Sequence, residues 1–157
     1  MSVLLDADAF SKQTLGLRAT KSFTAVTNGS QAAFTITGVV AITGIIGEVH
    51  TAPMDGTTTS INLTHDPTIG SAVDLCAATV VTSDVVGTIY GIQTWVTGLL
   101  VSNATTAPGE AYSPLPANKL CLTAGQIFFK GTAADAGDTR WSIFWVPVTV
   151  GATLVAA

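Results

Sequence analysis

Charge is what this sequence has least of. Only 10% of its 157 residues are Asp, Glu, Lys or Arg, where an ordinary soluble domain carries roughly 25%. The six basic residues are scattered along the chain and the formal net charge is −4. No Lys/Arg face is therefore expected to neutralise phosphates, and nucleic-acid binding is not expected. Histidine and cysteine are nearly as scarce: His50 and His65, Cys76 and Cys121 are the whole supply. The cysteines lack the paired spacing of a zinc or redox site, no Gly-x-Ser-x-Gly nucleophile turn occurs, and no Gly-rich phosphate loop precedes a helix. No enzyme, metal site or cofactor is expected. Long apolar runs are missing too. The greasiest stretch, residues 38–47, is cut by Thr43 and three glycines, well short of the about 18 residues a membrane span needs. Residues 1–5 have no basic segment leading into an apolar core, so no signal peptide is expected and the chain is placed in a cytoplasm.

What remains is small, neutral and apolar: 48% of residues are hydrophobic, with Thr, Ser, Ala, Val and Gly dominant. A chain this long forms one domain and buries a core without disulfides or metal. So neutral a surface favours association over solution, which points to partners. Cys76 and Cys121 each lie in an apolar strand-like run and are expected to be buried free thiols.

Alternation and turn signals set the architecture. Residues 1–20 mix Asp6, Asp8, Lys12 and Arg18 with irregularly spaced apolar residues and suggest an extended N-terminal arm. Residues 21–157 are the folded domain. Strands are expected over 22–27 and 32–37, joined as a hairpin by Asn28-Gly29. Another is expected over 39–51, where Gly44 and Gly47 mark a bulge or a close backbone approach, and another over 58–63 in a second hairpin. His65-Asp66-Pro67 suggests a loop, and 72–81, 87–96, 99–101, 120–122 and 126–130 further strands. The proline-containing segment 102–118 is the longest irregular stretch. Short strands at roughly ten-residue spacing make this an all-β sandwich or barrel. The last strand organises the rest. Trp141, Ile143 and Trp145 share one face, and Ser142, Phe144, Val146 and Val148 the other. Both faces are apolar, so both are expected to be covered, the second by another subunit.

The remaining chemistry is sparse. Glu48 and His50 share a strand face and form the one conceivable acid/base or metal pair, but no third ligand accompanies them. Asp135, Gly137 and Asp138 resemble part of a calcium loop yet are too few in acidic positions, so a solvated hairpin tip is expected. Trp95, Tyr90, Tyr112, Trp141 and Trp145 could supply a sugar-stacking platform. Core or subunit contact explains the last two better.

Two phrases carry a resemblance. Val73-Asp74-Leu75-Cys76 leading to Gly87-Thr88-Ile89-Tyr90, and Arg140-Trp141-Ser142-Ile143-Phe144-Trp145-Val146-Pro147 leading to Gly151-Ala152, resemble small structural proteins of tailed double-stranded DNA bacteriophages, above all head decoration (cement) proteins. The likeness spans residues 34–157 and transfers no functional-residue motif. It implies a jelly-roll β-sandwich, commonly a homotrimer, on the outside of the major capsid protein lattice. The expected location is then the virion's capsid surface, after assembly in the host cytoplasm. On that basis Trp141, Phe144, Trp145 and Val146 are the expected subunit interface. Phe10, Lys12, Leu15 and Arg18 of the arm, with Pro108 and Tyr112 of the proline loop, are the expected capsid contacts. A tail or head-fibre component and a carbohydrate-binding module presenting Trp95 or Tyr112 are the alternatives.

Overall fold

Strand β11 (Thr139–Pro147) lies between β1 (Leu17–Phe23) and β3 (Val40–Val49) in the larger sheet, antiparallel to both. The computed structural model describes residues 15–54, 59–92, 94–95, 100–102 and 118–157. Beyond β3 the larger sheet continues through β7 (Ile89–Ile92) to β8 (Leu100–Ser102), and β9 (Leu120–Leu122) pairs with the other end of β3. The opposing layer is built on β4 (Ser60–Pro67) paired with β10 (Gly125–Gly131), with the short strands β5 (Val73–Asp74) and β6 (Thr79–Val80) on the other side of β4. Alongside β10 packs β2 (Gly29–Thr37), itself paired with β12 (Thr153–Ala156). No helix occurs among the described residues, and the two antiparallel layers form an all-β sandwich.

Alternation along β11 aims Trp141, Ile143 and Trp145 inward, and all three are buried. Trp141 joins the layers. Its ring stacks on Tyr90 of β7 with centroids 5.9 Å apart and meets Phe129 of β10 at 5.5 Å, and Phe129 in turn stacks on Phe23 at 4.9 Å. The indole N–H donates to Thr139 Oγ1 over 3.1 Å, as a buried polar edge requires. Of the two alternatives suggested for the glycines of β3, each occurs at one of them. The register against β11 shifts between Phe144 and Trp145, which places a bulge beside Gly44, and Gly47 is where the backbone passes under the Trp141 ring.

Several expectations are corrected. Asn28-Gly29 turns the chain, with Gly29 at φ 122°, but joins no hairpin: β1 pairs with β11, whereas β2 pairs with β12 in the other layer. Nor do β3 and β4 form one, since β4 pairs with β10, β5 and β6. His65-Asp66-Pro67 is strand, not loop. His65 faces the core and its Nε2 donates to the Thr123 carbonyl over 3.1 Å, and burial lowers its pKa. The run 72–81 breaks into two two-residue strands. Residues 17–20 belong to β1 and not to an arm, because main-chain pairing with β11 recruits them. Of the rest of the expected arm, residues 1–14 lie outside the described residues.

The cysteines differ from each other. Cys76 is fully buried, and burial pushes its thiol up to about 11, but Cys121 is exposed at the end of the larger sheet, contrary to the expectation of two buried thiols. Since the thiolate is the reacting form and needs access, a thiol reagent at neutral pH is expected to modify the native chain rapidly at Cys121 alone, with Cys76 reacting only after denaturation. Peptide mapping of the labelled protein checks this.

Candidate functional site

Side chains that alternate away from the core gather on the outer face of the larger sheet. Register places Arg18 opposite Phe144, Thr20 opposite Ser142, Arg140 opposite Glu48, and Ser142 opposite Ile46. Together Arg18, Thr20, Ile46, Glu48, Arg140 and Ser142 line a shallow bowl of about 320 Å³. Arg18 and Arg140 are the only arginines in the chain. Three strands distant in sequence thus bring to one place what looked scattered.

Inside the bowl the polar groups are partly committed. Glu48 Oε1 accepts from the Arg140 guanidinium and lies 3.2 Å from His50 Nδ1. The hydroxyls of Thr20 and Ser142 are 3.1 Å apart, and either one can donate. Arg18 has no ion-pair partner among the described residues. The Glu48–Arg140 pair is partly exposed, so it contributes up to about 1 kcal/mol to stability.

Glu48 and His50, the one conceivable acid/base pair, do meet, but Arg140 shares the carboxylate. No group of three or more metal-ligating side chains occurs among the described residues. Asp135 and Asp138 spend their oxygens on their own neighbourhood. Asp135 Oδ1 accepts the Gly137 N–H over 2.8 Å. Asp138 Oδ1 accepts the Ala52 N–H over 2.8 Å and also the Thr51 N–H, while Oδ2 accepts the Thr51 hydroxyl. Desolvation opposes ionisation of Asp138, but those donors and nearby His50 outweigh it and hold its pKa at about 2, below its ordinary 3.8. A carboxyl whose folded pKa is depressed stabilises the fold above the unfolded pKa and loses that contribution as pH falls through the folded value. Melting temperature should therefore decline between about pH 4 and pH 2, and Asp138→Asn should flatten that decline. Thermal unfolding across this range reads the difference.

Of the expected contact residues, the fold brings Arg18, Phe144 and Val146 to this one outer face, with Phe144 and Val146 half-buried beside the bowl. Leu15 lies at the entry to β1, its carbonyl accepting from the Thr43 hydroxyl. Trp141 and Trp145 are corrected. At 0% and 5% exposure within a single chain, they have no surface to offer another subunit. The second face of β11 is correspondingly less greasy than expected, because Arg140 and Ser142 share it, and Val148 falls beyond the strand's end. Phe10, Lys12, Pro108 and Tyr112 lie outside the described residues. Trp95 is partly buried against the core and its Nε1 donates to the Asn118 carbonyl, so its polar edge is already engaged. Sequence reasoning missed Arg140 and Thr20. The signal for Arg140 was its even spacing from Ser142, Phe144 and Val146. Nothing in the sequence foretold that β1 would lie against β11 and bring Thr20 with it. Among protein families, curated proteins and solved structures, the chain finds no match.

Proposed function

We propose that this chain is a non-enzymatic structural protein of a bacteriophage virion, a decoration protein that binds the outside of the major capsid protein lattice and stabilises it, acting as a homotrimer. The observation that carries the proposal is the outer face of the larger sheet, where a chain poor in charge gathers both arginines in one bowl, with the apolar Phe144 and Val146 further along β11 on the same face. A surface of that kind suits contact with another protein, since Arg and aromatic side chains are the groups interfaces favour. The resemblance of two stretches of the sequence to phage decoration proteins suggests the partner, and a β-sandwich is the architecture that resemblance implies. Three modest contacts made by one trimer hold a shell far more firmly than one.

Solution mass and co-sedimentation on undecorated phage capsids test both parts. A trimer that pellets with shells is the expected result. A monomer that ignores them removes the proposal, and retention on glycans by such a monomer would favour a carbohydrate-binding module.

A further inference from the structure

We infer that the bowl on the larger sheet is a carboxylate-binding site, and that its occupant is an acidic side chain on the surface of the partner protein, gripped between Arg18 and Arg140. This rests on the attachment role proposed above and adds the chemistry of the contact. The first support is allocation. The chain has two arginines in 157 residues, and strand pairing that is remote in sequence delivers both to one bowl. Each guanidinium carries five N–H donors in a planar fork that matches a carboxylate. Glu48 uses only part of the fork of Arg140, and Arg18 donates to no carboxylate among the described residues.

Charge selects the ligand. Two guanidinium charges against the one carboxylate of Glu48 leave a single uncompensated positive charge, which suits a monoanion better than a dianionic phosphate. The paired hydroxyls of Thr20 and Ser142 can rotate to donate to an incoming oxygen, and Ile46 supplies an apolar wall that strengthens the charge-assisted bonds. Phe144 and Val146, further along β11, offer the apolar contact that a side chain presented on a protein surface exploits and a free small acid does not.

The full-length protein can be titrated with the blocked peptide acetyl-Gly-Glu-Gly-amide and with its Gln counterpart, following the two arginine Nε–Hε resonances by NMR. The expected result is a saturable shift of both resonances with the Glu peptide, none with the Gln peptide, and at least five-fold weaker binding in Arg18→Gln, a variant that breaks no ion pair among the described residues. Equal response to the two peptides, an unaffected Arg18→Gln, or tighter binding of inorganic phosphate would each overturn the assignment. So would an Asp6→Asn/Asp8→Asn variant that moves the same resonances without peptide, because the chain's own N-terminal segment would then be the occupant. Capsid pelleting separates the two proposals. Shells that bind wild type and Arg18→Gln equally overturn the bowl and leave the attachment role standing. A bowl that binds the Glu peptide in a protein that ignores shells removes the capsid and supports the site.

Discussion

Trp141→Ala is expected to lower the free energy of unfolding by about 3–5 kcal/mol, the usual cost of truncating a buried tryptophan. A domain of this kind holds only about 5–15 kcal/mol in total, so the variant should melt on the order of 10 °C below wild type or fail to accumulate. The indole is fully buried between Tyr90 of its own sheet and Phe129 of the other. Its removal therefore opens a void at the seam between layers, where neither strand pair can close in without breaking register. Urea unfolding of wild type and variant measures the loss. The same experiment separates core from interface. A variant as stable per chain as wild type, but dissociated into monomers, would return Trp141 to the subunit contact it was expected to make. Trp145→Phe should cost less than Trp141→Phe, because the Trp145 N–H has no acceptor among the described residues whereas that of Trp141 is bonded to Thr139, a difference of about 1 kcal/mol.

The face that Trp141 leaves behind bears on function. With both tryptophans turned inward, the outer side of β11 is a mixed surface of Arg140, Ser142, Phe144 and Val146. A mixed surface is what a protein that must be both stable alone and adhesive to a partner can present, since an all-apolar one would aggregate before it met its target. Low overall charge fits the proposed attachment role: the few ionised groups on this face stand out against a neutral background, and in a contact of the kind proposed they would set register and partner choice more than raw affinity.

How far the sequence could be read depended on the range of the interactions involved. Period-two alternation is local, so 120–122, 126–130 and the run carrying both tryptophans were legible as strands, though the last was read through Val148 and ends at Pro147, and Trp141, Ile143 and Trp145 were legible on one side. Pairing is not local. Asn28-Gly29 has the chemistry of a hairpin turn, yet β1 finds β11 over a hundred residues away, because burying Ala19 and Phe23 against the far sheet outweighs a short local ladder. The same remoteness hid the bowl. Arg18 and Arg140 lie at opposite ends of the chain and come to line one bowl only through β1–β11 pairing. His65 was misplaced because Asp-Pro signals a turn, whereas Pro67 is the last residue of β4, where its missing N–H ends the strand without interrupting the ladder before it.

Gly47→Ala is expected to destabilise the fold by about 1–3 kcal/mol, although one methyl group in a strand normally helps. A Cβ at this position would lie 2.8 Å from Cε3, Cζ3 and Cη2 of Trp141, well inside van der Waals contact. The ring cannot retreat, since Tyr90 and Phe129 pack against it and Thr139 holds its N–H, so the strain falls on the backbone of β3 or on an off-rotamer indole. The strain should vanish when its cause is removed. In a Trp141→Ala background, Gly47→Ala should be neutral or mildly stabilising, because alanine loses less conformational freedom than glycine on folding and the new methyl enters vacated space. The pair would then show a coupling of about 1–3 kcal/mol, as contacting residues do. Urea unfolding of the two single variants and the double variant measures it. Additive losses instead would mean that Gly47 is required for the path of β3 itself and that the indole lies elsewhere.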